Sequence, residues 1–218
     1  MIDEKCVYIV SGYMRSGTSM MMKSLNAGGL KAVFSKNKDD YLNKKYAQDE
    51  YRPNPEGFYE LGPKEFDAPD FPHIYSGQLI KMLHWRLEDL PVFNYRIIFM
   101  ERDPVEIEVS YLKMFQRRPP FVLHKYDELI HAIYMKLDAR PDIDYISVQH
   151  SEMISKPFET LSMLKEKKWL ITDIDKAVQA VNPSLYRSKT DDLEKVRKAI
   201  PGLRTDLPEI LKEKKSDC

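Results

Sequence analysis

This chain has few cysteines, no net charge and no long apolar run. Its two cysteines, Cys6 and Cys218, provide neither a disulfide framework nor a zinc-binding spacing, and such usage is typical of a reducing compartment. The 34 lysines and arginines equal the 34 aspartates and glutamates, which excludes a strongly basic nucleic-acid-binding protein. The first apolar run, residues 6–10, is too short for a signal segment or a membrane span. We therefore expect a soluble, cytoplasmic protein.

The composition is that of a globular protein with a substantial core. Hydrophobic residues make up 43% of the 218 residues and charged residues 31%. A folded chain of this length buries roughly three-quarters of the surface of its extended form. We predict a single domain over residues 1–218, with a helical C-terminal extension over residues 190–218.

Residues 35–75 differ in composition from the rest of the chain. Five of the 14 prolines and eight aromatic residues fall in this region. A long irregular segment within a small domain is commonly a lid or a binding surface, so we predict a lid or acceptor region here. The alternative is a meandering loop that aromatic side chains hold in place.

Short apolar runs predict strands, and helical spacing predicts the elements between them. Strands are expected at 6–11, 78–82, 96–100 and 143–149. Helices are expected from about 18 to Gly28, and at 104–116, 123–139, 157–167, 173–181 and 191–199. Asp103 should cap the helix that begins at Pro104, with Glu106 at capping-box spacing. The alternation predicts an α/β fold of three layers, with a central parallel sheet of about four to five strands flanked by helices.

A glycine loop joins the first strand to the first helix, and it reads G-Y-M-R-S-G-T-S over residues 12–19. Its glycine spacing is that of a Walker A loop, which marks a P-loop-type fold and presents backbone N–H groups to a phosphate. Thr18 stands where the Walker lysine would be, and the nearest cation is Arg15. We predict that the loop holds a phosphate-like group through its amides and side chains. The residues concerned are Gly12, Arg15, Ser16, Gly17, Thr18 and Ser19. The alternative is a glycine turn without a ligand.

Four segments of the chain carry a resemblance to a known family. Residues 10–19, V-S-G-Y-M-R-S-G-T-S, resemble the 5′-phosphosulfate loop of sulfotransferases that use 3′-phosphoadenosine-5′-phosphosulfate, PAPS. Arg102-Asp103-Pro104, followed eight residues later by Ser110, is similar to the family's 3′-phosphate motif. Residues 54–60, N-P-E-G-F-Y-E, resemble a segment of many bacterial-type members. Residues 150–164, which contain Lys156-Pro157, resemble the family's strand-end and helix-entry segment more weakly.

The resemblance implies a sulfotransferase that binds PAPS, with adenosine 3′,5′-bisphosphate as a product. Arg15 and Lys81 would place positive charge on the bridging oxygen, while Arg102 and Ser110 would bind the 3′-phosphate. For Arg102 the alternative is a surface ion pair with Glu101 or Asp103. Sulfuryl transfer does not require a metal, and the five histidines show no metal-ligand spacing, so we predict no metal site.

The catalytic base has several candidates in the sequence. The resemblance and the chemistry together favour His84, followed by Glu60, with Asp67 and His73 as further possibilities. His84 lies one residue out of register with the family's basic histidine, and Lys81 lacks the Asp-Pro that follows it in many relatives. The family's C-terminal basic loop has only a faint counterpart in Arg197-Lys198 and Pro201-Gly202.

Two other functions stay open at this point. A P-loop nucleotide or small-molecule kinase would share the loop, although the missing lysine weakens its grip on a γ-phosphate beside Mg²⁺. A degenerate member would bind adenosine bisphosphate without turnover. The acceptor would be a hydroxyl or amine of a small molecule, a sugar, a phenol or a lipid head group, and the sequence does not predict an oligomeric state.

Overall fold

Four parallel strands form the centre of the computed structural model, which describes residues 5–48, 51–119 and 125–200. They are β1 (Cys6–Gly12), β2 (Leu79–Lys81), β3 (Asn94–Glu101) and β4 (Ile143–Gln149). The strand order is β2-β1-β3-β4, and every neighbouring pair is parallel. All seven residues of β1 are buried, as expected for a strand with neighbours on both edges and helices on both faces. The predicted α/β fold with a parallel sheet is confirmed.

Ten α-helices surround this sheet in the described residues. They are α1 (Thr18–Ala27), α2 (Lys36–Tyr46), α3 (Pro63–Phe66), α4 (Phe71–Ile74), α5 (Pro104–Phe115), α6 (Tyr126–Asp138), α7 (His150–Ser155), α8 (Pro157–Glu166), α9 (Ile174–Gln179) and α10 (Leu193–Ala199). Short 3₁₀ helices occur at His84–Asp89, Pro183–Leu185 and Thr190–Asp192. Region 35–75 was predicted as one irregular segment, and this was wrong because α2, α3 and α4 lie within it. Of the predicted extension over 190–218, residues 201–218 lie outside the described part of the chain.

The start of α5 follows the predicted capping chemistry in part. The Asp103 carboxylate accepts hydrogen bonds from the backbone N–H groups of Val105, at 2.8 Å, and Glu106, at 3.1 Å. Pro104 occupies the first turn, where its missing N–H leaves no helical hydrogen bond unmade. The Glu106 carboxylate does not return to the Asp103 backbone as a capping box requires, since it binds Arg102 instead. Helix α5 therefore begins as predicted, while Glu106 contributes to the site described below.

The core has two layers, one on each face of the sheet. Tyr8 and Val10 of β1 pack with α1, α8 and α9 on one face. Val7 and Ile9 alternate with them along the strand and pack with α5 and α6 on the other face. The residues of β3 alternate between the two faces in the same way. None of the described helices is long and apolar enough to cross a membrane.

The parallel arrangement brings four chain segments to one edge of the sheet. β1 runs into the glycine loop, β2 ends at Lys81, Arg102 follows β3, and His150 follows β4. In open parallel sheets ligands bind at this carboxyl edge, so it is where a site is expected.

Candidate functional site

The glycine loop owes its shape to close contacts with β3 and with the start of α7. Gly12 has φ +143°, and a Cβ there would lie 2.5 Å from the Met100 carbonyl oxygen. Gly17 has φ +99°, and a Cβ there would lie 2.5 Å from Cδ2 of His150. Arg15 also has a positive φ, 72°, which turns its carbonyl toward Arg102. Only glycine fits the first two positions without strain, so the loop has one tightly determined path.

A cavity of about 390 Å³ lies over this loop. Eight of the residues that the sequence predicted for the site line it. They are Arg15, Gly17, Thr18, Ser19, Glu60, Lys81, Arg102 and Ser110. Three others, Gly12, Ser16 and His84, do not line it, because Gly12 and Ser16 are buried within the loop and His84 faces a different pocket.

Arg15 lies in the cavity wall and is held by neutral groups. Its Nε donates to Ser110 Oγ at 3.0 Å, its Nη1 to Asn54 Oδ1 at 3.1 Å, and its Nη2 to the Pro53 carbonyl at 3.3 Å. Within the described residues no carboxylate forms an ion pair with Arg15. The positive charge of the Arg15 guanidinium is therefore not neutralised by these neighbours in the cavity wall.

Further cations surround Arg15. Burial lowers the pKa of the Arg15 guanidinium, and the positive charges of Arg102 and Arg187 act in the same direction. Arg187 also lines the cavity, with its guanidinium 5.0 Å from the centre of the Tyr51 ring. Like Arg15, Arg187 has no carboxylate partner in the part of the chain that the structure describes. Such a concentration of positive charge is costly unless an anion shares the space.

Arg102 links the loop to the 182–188 segment. Its Nε donates to Glu106 Oε2 at 2.9 Å, its Nη1 to the Arg15 carbonyl at 3.1 Å, and its Nη2 to the Ser188 carbonyl at 3.0 Å. The surface ion pair with Glu101 or Asp103 is not formed. Three of the five guanidinium N–H groups are used, which leaves two for a ligand.

Lys81 and Glu60 form a second charged group beside the start of α1. Lys81 Nζ donates to the Phe58 carbonyl at 2.7 Å and lies 3.3 Å from both Ser19 Oγ and Glu60 Oε1. Burial lowers the pKa of Lys81. Burial alone would raise the pKa of Glu60, but Lys81 and Lys38 outweigh it and hold that pKa below its ordinary value. Glu60 is therefore an ionised carboxylate in the cavity wall at neutral pH.

Segment 53–60 closes one side of the cavity through Asn54. The Asn54 amide accepts from Arg15 and donates to Ser19 Oγ at 3.3 Å, so it bridges the middle and the end of the loop. Asp39 of α2 fixes the segment from outside, since its carboxylate accepts from the backbone N–H groups of Phe58, at 2.9 Å, and Tyr59, at 3.1 Å. The N-P-E-G-F-Y-E sequence thus lies against the glycine loop, a contact that the sequence did not predict.

The other predicted base candidates lie away from the cavity. His84 stacks on Tyr13 with ring centres 5.0 Å apart and hydrogen-bonds to the Gly12 backbone. The chain turns into a 3₁₀ helix at His84, so Leu83 lines the cavity in its place. Asp67 forms an ion pair with Arg86 at 2.8 Å. His73 contacts Phe93 with ring centres 5.1 Å apart. Glu60 is thus the one predicted base that faces the cavity.

His150 is a cavity residue that the sequence analysis missed. Its ring lies against Gly17 and 5.5 Å from the Tyr186 ring, and its Nδ1 is buried without a hydrogen-bond partner among the described residues. Burial lowers the pKa of His150 to about 3, and the charge of Arg102 adds to the effect. A neutral imidazole therefore faces the cavity, and its position directly after β4 is the signal that would have located it.

The sequence suggested Arg197-Lys198 as the basic part of a C-terminal loop at the site, but a different basic residue of this region reaches the cavity. Arg197 forms an ion pair with Glu108 at 2.7 Å and does not line the cavity. Arg187 lines it instead, and Lys113 helps to hold the segment by donating to the Arg187 carbonyl at 2.5 Å. Pro201-Gly202 lies outside the described residues.

Comparison with models of known protein families and with curated proteins finds no match for this chain. The residues of the cavity therefore carry the chemical interpretation. Arg15 and Arg187 have no carboxylate partner among the described residues, whereas Lys81 and Arg102 each have one. With the amides at the start of α1, these cations form a wall suited to a ligand with several negative charges. Within residues 5–48, 51–119 and 125–200 no group of histidine, cysteine or acidic side chains is arranged to hold a metal ion.

Proposed function

We propose that this cavity binds PAPS and transfers its sulfuryl group to a hydroxyl or amine of an acceptor. The observation that carries the proposal is the convergence of four cations on one glycine loop: Arg15, Lys81, Arg102 and Arg187. Two of them lack a carboxylate partner among the described residues, which favours a ligand that supplies the missing negative charge. PAPS has a phosphosulfate at one end and a separate phosphate at the other, so it would bring several negative charges to these cations.

The proposed roles follow from the neighbours of each group. The amides at the start of α1, with Arg15 and Lys81, would bind the phosphosulfate end. Arg102 has two unused N–H groups, and Ser110 accepts from Arg15, which leaves its hydroxyl hydrogen for an anion. These two residues would bind the 3′-phosphate, as the resemblance implies.

The proposed transfer needs charge stabilisation and one proton acceptor. The acceptor oxygen forms a bond to sulfur while the bond from sulfur to the 5′-phosphate oxygen breaks, and that oxygen keeps the electron pair. Lys81 and Arg15 would stabilise the charge that develops there, and the cavity fixes them in advance. Glu60, ionised and in the same wall, would take the proton of the acceptor hydroxyl.

The test is PAPS turnover by the parent protein and by a matched pair of lysine variants. Release of adenosine 3′,5′-bisphosphate is measured with a panel of phenols, aliphatic alcohols, sugars and amines. Lys81→Met should lose roughly 10- to 150-fold, since one charged interaction is worth about 1.5–3 kcal/mol. Lys156→Met, which changes an exposed lysine outside the cavity, should turn over like the parent.

The outcomes separate the three candidate functions. Equal turnover by the parent and Lys81→Met would contradict the proposed role of the lysine. Tight binding of the bisphosphate without any sulfated product would identify a binding protein. Magnesium-dependent ATP hydrolysis by the parent would identify a kinase-like site instead.

A further inference from the structure

The cavity has an apolar half, and we propose that it binds an aromatic alcohol, neutral or anionic, as the acceptor, in preference to a sugar or an amine. The proposal rests on the proposed function, because an acceptor is needed only if a group is transferred. It narrows the acceptor classes that the sequence leaves open.

Three aromatic rings form the wall of this half. Phe115, at the end of α5, lies 5.0 Å from the Tyr46 ring of α2 and 4.3 Å from the Tyr111 ring, measured between ring centres. All three residues line the cavity, and Leu42 and Met114 extend the same wall. Apolar and aromatic walls of this kind bind rings by burying their area and by edge or offset stacking.

Trp85 and Arg117 add an exposed indole and a cation to the lining of the cavity. The Trp85 side chain lines the cavity and is 48% exposed, which is high for a large aromatic residue. Arg117 also lines the cavity, with its guanidinium 5.9 Å from the centre of the Phe115 ring. An acidic substituent on an aromatic ligand beside Phe115 would therefore lie near a cation.

The apolar half is continuous with the cationic half. Ser110 and Met114 are four residues apart on α5, so they lie on the same face of that helix. Lys81 and Leu83 line the cavity two residues apart at the end of β2. A ring held on the apolar wall can therefore present its hydroxyl toward the cations and Glu60.

The charges and polar groups of the wall exclude the competing acceptor classes. A protonated amine would be repelled by Arg15, Arg102 and Arg187, and the two carboxylates of the described wall each already lie beside a lysine that balances their charge. Glu60 lies 3.3 Å from Lys81, and Glu56 lies 2.7 Å from Lys23. A sugar exposes many hydroxyls, whereas this half of the described wall is mostly ring and aliphatic surface, with few hydrogen-bonding groups among its side chains. Cations would be repelled, and most hydroxyls of a sugar would lose water without gaining a protein partner, which is how a site rejects a ligand.

The test measures the affinity of four probes by calorimetry, with and without saturating adenosine 3′,5′-bisphosphate. The probes are 4-ethylphenol, 3-(4-hydroxyphenyl)propionate, tyramine and methyl β-glucoside. The uncharged 4-ethylphenol and the anionic 3-(4-hydroxyphenyl)propionate should bind. The cationic tyramine should bind at least tenfold more weakly than 4-ethylphenol, and the glucoside should not bind. Each probe is then supplied as acceptor with PAPS, and the sulfated product is measured.

The variants locate the binding site of the phenol. Phe115→Ala should weaken 4-ethylphenol binding about tenfold while the bisphosphate affinity stays within twofold. Tyr46→Ala, which removes the ring whose centre lies 5.0 Å from that of Phe115, tests the same wall if Phe115→Ala does not fold. Phe158→Ala changes a 52% exposed ring on α8 outside the cavity and should leave all affinities unchanged.

The possible failures are distinguishable. Bisphosphate binding together with sulfation of the glucoside or of the tyramine amine, and no sulfation of 4-ethylphenol, would overturn the acceptor class and leave the sulfotransferase proposal intact. Equal affinity for tyramine and 4-ethylphenol, or unchanged phenol affinity in both wall variants, would also overturn it. Phenol binding without bisphosphate binding would overturn the proposed function and, with it, the role of the phenol as an acceptor.

Discussion

Asn54→Asp should stabilise the protein and at the same time weaken its anion binding. Asn54 Oδ1 accepts from Arg15 Nη1 at 3.1 Å, and no carboxylate pairs with that arginine among the described residues. A carboxylate at this point would supply the missing counter-charge. The gross attraction at about 4 Å is roughly 4 kcal/mol for an effective dielectric constant near 20, and desolvation of the new carboxylate offsets part of it.

The expected net gain is about 1–2 kcal/mol, or roughly 2–8 °C in Tm for a chain of this size. Anion affinity should fall about 10- to 100-fold, because the new carboxylate occupies Arg15 and repels the ligand. Asn54→Ala is the control, and it should lower both stability and affinity since it removes the hydrogen bonds to Arg15 and Ser19. Urea unfolding and calorimetry with adenosine 3′,5′-bisphosphate measure the two quantities. Equal destabilisation by both variants, or undiminished affinity in Asn54→Asp, would refute the reasoning.

Two further predictions concern the contact between Gly17 and His150. Gly17→Ala should cost about 1–3 kcal/mol of stability and most of the anion affinity, because φ is +99° and the added Cβ would lie 2.5 Å from the His150 imidazole. Undiminished affinity would mean that the loop can take another backbone path and would contradict this prediction. The pKa of His150 is about 3 in the folded chain, below its ordinary value of 6.5. The buried neutral imidazole is therefore fully tolerated above about pH 6.5, and the folded state loses stability as the pH falls from there toward 3. Between pH 7 and pH 5 the parent should lose about 1–2 kcal/mol more than His150→Gln in urea unfolding, and parallel pH profiles would contradict the burial of a neutral imidazole.

The sheet and the loop were predictable because their signals are local. The run C-V-Y-I-V-S is apolar on both faces, and it formed the buried strand β1. Asp103 before Pro104 marked the start of α5 by its capping chemistry alone. The glycines at 12 and 17 were recognisable by spacing, and the structure adds the close contacts that require them.

The composition of the cavity wall was less predictable because it depends on distant contacts. His84 and Leu83 are neighbours in sequence, and the 3₁₀ turn that begins at His84 decides which of them faces the cavity. Asn54 meets Arg15 from 39 residues away, and Arg187 reaches the same site from near the end of the described chain. No periodicity or motif in a single sequence contains these distances. His150 is different, since its position after β4 was visible and only its burial beside Gly17 was not.

In the proposed function the cavity binds a 5′-phosphosulfate group at one place and a 3′-phosphate at another. Calorimetry that compares adenosine 3′,5′-bisphosphate with AMP tests it most directly, because the two ligands differ by the 3′-phosphate alone. Contacts from Arg102 and Ser110 should give the bisphosphate an advantage of about 2–4 kcal/mol, roughly 30- to 1000-fold in affinity. Arg102→Ala should remove most of that advantage, while AMP binding falls less, because the variant loses the contact that holds the Arg15 carbonyl but no contact to a 3′-phosphate. Equal affinity of the parent protein for the two ligands would contradict the claim, since Arg102 would then serve only to hold the loop to Glu106 and Ser188.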